Sequence, residues 1–214
     1  IAFATATLLV RATDPSLRDP IEALAVAESA AEQSVDTHPD LLGLLAWLYA
    51  VGNTSDSAVP LVFSTSYGED EASELPSGYA DRINAEFVKG GARGISFLFA
   101  SGDSGAAAVT GASCPGGRFA PKWPAASPWV TAVGGTQGRQ MPEQSWAGSS
   151  GGFSDAFAAP AWQVDALASY LSREDLPDAA KYNASGRGFP DISAAAVDVP
   201  VLISSRLKTV VAGT

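Results

Sequence analysis

One short run in the 214-residue chain has the makings of an acid–base site: Ala100-Ser101-Gly102-Asp103-Ser104-Gly105. It closes Ile95–Ala100, ISFLFA, a continuously apolar stretch of the kind expected for a strand covered on both faces. An acid directly after such a strand, in a Gly-flanked turn, brings its carboxyl out at the strand's carboxyl end. The plainer reading is a turn in which Asp103 bonds nearby backbone amides. The run is not a phosphate-binding loop, because the Gly-x-x-x-x-Gly-Lys-Ser/Thr pattern is absent. The chain has one His, His38, and one Cys, Cys114. No His/Cys zinc cluster, internal disulfide or Cys–Cys redox pair can form within it. His38 reads as a surface or helix-start residue.

The composition narrows the class. Thirteen basic and 23 acidic residues give a formal net charge of −10. No basic cluster stands out, which argues against a nucleic-acid or anionic-membrane surface. Charged residues are 17% and apolar residues 46%, the profile of a chain that buries a core. The longest uncharged apolar stretch, Leu41–Gly52, is too short for a membrane-crossing helix, which needs about 20 residues. Asn53-Thr54-Ser55 and Asn183-Ala184-Ser185 are glycosylation sequons, and they point to a secretory route.

The elements that would hold Asp103 alternate. Leu8–Val10 closes a strand, and Pro20–Ala31 is Ala- and Glu-rich and helical. Leu41–Val51 is a second helix, with Asp40 as its N-cap. Pro60–Ser66 is β-rich. In Ser77–Arg93, Tyr79, Ile83 and Phe87 recur every four residues on one helical face, and Gly94 stands where a C-cap is wanted. Ile95–Ala100 and Trp129–Val133 read as strands, Ala161–Leu171 as a helix, and Val199–Ser204 and Lys208–Ala212 as late strands. The five Trp residues, at 47, 123, 129, 146 and 162, read as packing residues. Such alternation predicts one α/β domain, residues 1–214, with a mainly parallel sheet. Ligands bind beyond the carboxyl ends of its strands.

Five blocks carry a resemblance: STSYGED (64–70), FLFASGDSGA, PKWPAASPWVTAVGGT, SGGFSDAF and YNASGRGFPDISA. In this order and spacing they resemble the sedolisin family of serine-carboxyl peptidases, most of all its lysosomal tripeptidyl-peptidase branch. The resemblance implies a subtilisin-like three-layer α/β domain, incomplete at its C-terminus. It also implies a Ser nucleophile, a Glu base, an Asp that holds the Glu, and a second Asp in the oxyanion hole. A Glu base, ordinarily near pKa ~4.3, still accepts a proton where a His would be protonated and idle. An oxyanion-hole Asp must be protonated to donate, which again favours acid. Asp103 matches that oxyanion Asp. The nucleophile's motif is Ser-Gly-Thr-Ser. Gly213-Thr214 match its middle, Ala212 replaces its first Ser, and the nucleophile would follow Thr214.

For the base, local likeness points to Glu22, but Val26 stands four residues on, where the partner Asp belongs. Glu32 and Asp36 have the correct spacing instead, one helical turn apart. A solvated helix face explains Glu22, Glu28 and Glu32 equally. A strand that the family has before the Leu41 helix is missing under either alignment. Ser64–Tyr67, Gly134–Thr136 and Ser150–Gly152 resemble the stretches lining the substrate cleft, with Ser64, Tyr67, Gly134, Gly135, Ser150 and Gly151 as candidates; ordinary turn glycines are the alternative. Cys114 matches a half-cystine whose partner lies beyond Thr214, as does the family's calcium site, so no metal or cofactor is expected here.

Two functions follow. One is an acid-acting tripeptidyl-peptidase-like domain hydrolysing peptide or protein substrates, inactive without its nucleophile, in a lysosome, vacuole or the extracellular space. The other is a peptidase-like domain without catalysis, serving as a structural or binding subunit whose open sheet edge takes a protein partner.

Overall fold

The computed structural model describes residues 39–71, 78–108, 114–138, 143–203, 206–210 and 213–214. Its contacts divide the chain into two compact units, Ile1–Val59 and Pro60–Thr214. In the first, helix α1 spans Pro39–Asn53 and buries Leu45, Leu48 and Val51. Asp40 is not its N-cap but sits inside the helix, after Pro39. Proline suits a first turn, where its missing N–H would have no acceptor. The expected strand at Leu8–Val10 and helix at Pro20–Ala31 lie outside the described residues.

The second unit is built on a five-stranded sheet. Strands β1 (Val62–Thr65), β3 (Ser96–Ala100), β5 (Thr131–Gln137) and β9 (Ile192–Ala195) run parallel in that order. Strand β6 (Gln144–Ser145) is antiparallel to β5. Thr136 pairs with both Ala195 and Ser145. Strand β6 therefore takes the β3 edge of β5 where β3 has already ended at Ala100. The sheet is mainly parallel, as the alternation requires.

Helix α2 (Tyr79–Ala92) covers β3. Its four-residue stripe is the buried one: Tyr79, Ile83 and Phe87 are 8, 0 and 1% exposed. Phe87 meets Phe97 and Phe99 with ring centroids at 5.1 and 5.6 Å, and Phe63 stacks on Phe97 at 5.8 Å. Each such ring contributes roughly 1.5–3 kcal/mol by burial. Gly90 lets the helix approach, since a Cβ there would stand 2.5 Å from the Phe97 ring. The helix ends in a Schellman motif. Gly94 adopts φ +82°, its N–H donates to Gly91 O, and Ile95 N donates to Gly90 O. That turn delivers the chain straight into β3.

Strand β3 differs from its sequence reading. Phe97 and Phe99 are buried, whereas Leu98 and Ala100 are half-buried and Ser96 is exposed. Among the described helices, α2 covers the face carrying Phe97 and Phe99. The next strand starts two residues later than expected, so Trp129 lies before β5 and is 54% exposed. Trp162 is exposed too, while Trp123 is buried against Phe157. The expected helix at Ala161–Leu171 is a 3-10 turn (Ala161–Gln163) leading into α3 (Val164–Leu171).

Three antiparallel pairs complete the unit: β2 (Glu69–Asp70) with β4 (Lys122–Trp123), β7 (Gly152–Ala158) with β8 (Gly186–Phe189), and β10 (Val199–Ile203) with β11 (Arg206–Val210). A fully buried Arg187 ties β8 to the sheet. Its Nη2 bonds Asp191 Oδ2 at 2.6 Å, and the same Oδ2 accepts from Ala132 N at 2.7 Å. Burial pushes the Arg187 guanidinium down from its usual range, and Asp191 pulls it back up. Among the described residues no helix is long and apolar enough to cross a membrane.

Candidate active site

Asp103 emerges at the carboxyl end of β3, where the sheet opens between β3 and β6. Ser101 N still donates to Val133 O at 2.8 Å, and then the chain leaves the sheet. Gly102 makes that departure possible. Its φ is +109°, and a Cβ would lie 2.9 Å from Ser150 Oγ and 3.2 Å from Lys122 Cγ. Ser150 N donates back to Gly102 O at 2.9 Å, and Ser150 Oγ accepts from Ser104 N at 3.3 Å. Gly105 N donates to Gly148 O at 2.8 Å. The segment Ser145–Ser150 thus braces the Asp103 turn from one side.

The other side is held by Thr214. Its backbone N donates to Asp103 Oδ1 at 2.8 Å, and its hydroxyl lies 3.0 Å from the same oxygen. That hydroxyl also lies 2.9 Å from Gly102 O and accepts from Gly102 N at 3.1 Å. Gly213 N reaches Ala196 O, at the end of β9. The side chain of Asp103 is exposed, and among the described residues its Oδ2 has no hydrogen-bond partner. One carboxyl oxygen is therefore fixed and the other faces outward, able to donate when protonated. The backbone amide that Asp103 bonds is not one of its own turn but lies 111 residues away.

The cleft candidates divide. Ser150 is buried and braces the turn. Gly135 lies beside Thr214, where a Cβ would meet Thr214 Cγ2 at 3.0 Å. Its N–H is taken by Ser149 Oγ and its carbonyl by Trp146 N. Gly134 and Gly151 both pack against Pro190. Ser64 sits in β1 beside Leu98, so Ser66–Tyr67 emerges alongside the end of β3. Tyr67 Oη donates to Glu69 Oε1 at 3.1 Å. Glu22, Glu32, Asp36, Glu28 and His38 lie outside the described residues. Cys114 is half-buried, with Sγ 3.9 Å from Ala106 O. Among the described residues no group of three His, Cys, Asp or Glu side chains could hold a metal. Asn53 is exposed; Asn183 donates one amide hydrogen to Ser154 O at 2.9 Å and keeps the other.

Two buried charged residues were not singled out by the sequence. Lys122 is 2% exposed and bridges Asp70 to the carbonyl of Ala107. Glu71 is 3% exposed; its carboxylate accepts from Ser154 Oγ and from the amides of Asp155 and Ala156. It fills the bulge of β7, where pairing with β8 breaks between Phe153 and Ala158. Burial raises its pKa above the usual carboxylate value, against the lowering effect of those hydrogen bonds. Only burial itself would have flagged either residue.

The fold has a solved counterpart. It is similar to Pseudomonas sedolisin, a serine-carboxyl proteinase solved with two molecules of pseudo-iodotyrostatin: TM-score 0.57, 24% identity, 84% of this chain and 49% of that one. The fold is subtilisin-like α/β. No family model matches the chain. Among curated proteins, Tripeptidyl-peptidase 1 of Bos taurus is 46% identical over 157 residues, and that of Homo sapiens 45% over 157. Each alignment covers 70% of this chain and 27% of the relative, so the chain spans about a quarter of those proteins. The chain belongs to the sedolisin family of serine-carboxyl peptidases, in its tripeptidyl-peptidase branch, and supplies part of a peptidase domain.

Proposed function

We propose that this chain is part of the catalytic domain of an acid-acting peptidase that releases short peptides, tripeptides by likeness to its relatives, from free N-termini. The observation that carries the reading is the double contact of Thr214 with Asp103. Gly213-Thr214 matches the middle of the nucleophile motif, and a Ser following Thr214 in the natural product would stand next to the Asp103 carboxyl. In the first half-reaction that Ser oxygen forms a bond to the scissile carbonyl carbon while its proton passes to a Glu base of the kind the family resemblance implies. Asp103 donates from Oδ2 to the carbonyl oxygen as charge develops there. The C–N bond then breaks and the amine leaves with the proton from the Glu. Water reverses the sequence on the acyl-enzyme. The acid working range and the two sequons support a route through the secretory pathway to a lysosome, a vacuole or the outside.

The test is hydrolysis of a tripeptide-linked fluorogenic substrate at about pH 4 by the folded full-length product. Turnover is expected, and Asp103→Ala, which removes the donor, should lower kcat by about 10²–10³. Absence of turnover sinks the reading. It would favour the second one, a binding subunit without catalysis, to which Ala212 and Val26 at motif positions already point.

A further inference from the structure

The Asp103 turn is braced by a third side chain, and that one is a buried cation. Lys122 Nζ lies 2.5 Å from Asp70 Oδ1 and 2.5 Å from Ala107 O. Its side chain is 3% exposed and that of Asp70 12%. Its Cγ lies where a Cβ on Gly102 would come within 3.2 Å. Removing two charges from water is costly, and a well-packed apolar pair of the same volume is often as stable or more so. Stability is therefore a poor account of this pair. Its geometry offers a better one. Asp70 and Lys122 are paired across the β2–β4 ladder. That ladder orients the ammonium, and the ammonium holds the far end of the Asp103 turn by a backbone carbonyl. Ser101 N anchors the near end to the sheet. The turn between those two anchors carries Asp103.

We propose that Lys122, held by Asp70, is a positioning residue for Asp103. It sets the path of Ser101–Ala108 and so the place of the Asp103 carboxyl. The inference rests on the role given to Asp103 above, but its anchoring step is measurable without turnover.

The experiment uses the full-length product and two variants. Lys122→Met keeps the stem against Gly102 and removes the ammonium. Asp70→Asn with Lys122→Met also removes the carboxylate that Lys122 pairs with. Hydrogen–deuterium exchange is followed in Ser101–Ala108 and, as a control, in Arg187–Phe189 of β8. Both variants should exchange about tenfold faster in the turn, with the control unchanged. With a tripeptide substrate, kcat should fall by about 10–100-fold while KM moves less than about threefold. Turn exchange at the wild-type rate in the double variant overturns the proposal. So does faster exchange in turn and control alike, since Lys122 would then be a stability residue only. So does a faster turn with unchanged kcat. If the wild-type protein has no turnover yet the turn alone exchanges faster, the anchoring stands and the catalytic reading of Asp103 falls.

Discussion

Asp103, the proposed oxyanion acid, owes little to its immediate neighbours. Its exposed side chain is fixed at one oxygen by a residue 111 positions away. The local requirement falls on Gly102, which combines φ +109° with no room for a Cβ beside Ser150 and Lys122. Gly102→Ala should cost about 1–3 kcal/mol from backbone strain alone, read as a lower denaturation midpoint. Asp103→Asn, by contrast, should leave the midpoint unchanged, because its oxygen can still accept from Thr214. A midpoint equal to wild type in the Gly102 variant would mean the turn relaxes around the methyl. The positive φ was legible as a possibility from the Gly-flanked acid. The contacts that make glycine necessary were not, because Ser150 and Lys122 arrive from segments remote in sequence.

Elements also respond to pH through groups that sequence periodicity cannot mark. Glu71 stabilises the β7 bulge, and burial raises its pKa above the unfolded value. The folded state therefore binds more protons than the unfolded state between those two values. Stability from this group is fully present below the unfolded pKa and is lost as pH rises through the folded one. Against Glu71→Gln, which does not titrate, the wild-type thermal midpoint should fall steadily as pH is raised from acid towards neutral. A constant difference between the two proteins would remove Glu71 from the pH response. The direction suits a domain proposed to work in acid. Arg187 makes a different demand, because its guanidinium is fully buried against Asp191 and Gly188 O. Arg187→Met leaves Asp191 without its cation and should cost about 3–5 kcal/mol, measured by denaturant unfolding. The α2 stripe and its Gly94 stop were readable because neighbouring turns of one helix create them. The start of β5 was not, since Trp129 is as apolar as a strand residue yet stands outside the ladder.

For the molecule as a whole, two sequons and the proposed acid site point the same way. Secreted material should carry glycans at both Asn53 and Asn183. Asn53 is exposed, and Asn183 keeps one amide hydrogen for the sugar while the other holds Ser154 O. Glycosidase treatment followed by peptide mapping should find Asp at both positions; unmodified Asn at both would remove the support for a secretory route. The alternation of elements, the parallel sheet, the acid turn after β3 and the family were all present in the order of residues. Each is written in patterns that repeat or adjoin within a few positions: a four-residue stripe, an apolar run, a glycine after a helix, a block of motif. The docking of Thr214 on Asp103, the bridge from Lys122 to Ala107 O and the burial of Glu71 needed the folded chain. Those contacts join segments between 15 and 111 residues apart. A charge that will be desolvated by packing looks, in sequence, like any charge on a solvated face, and the fold alone distinguishes the two.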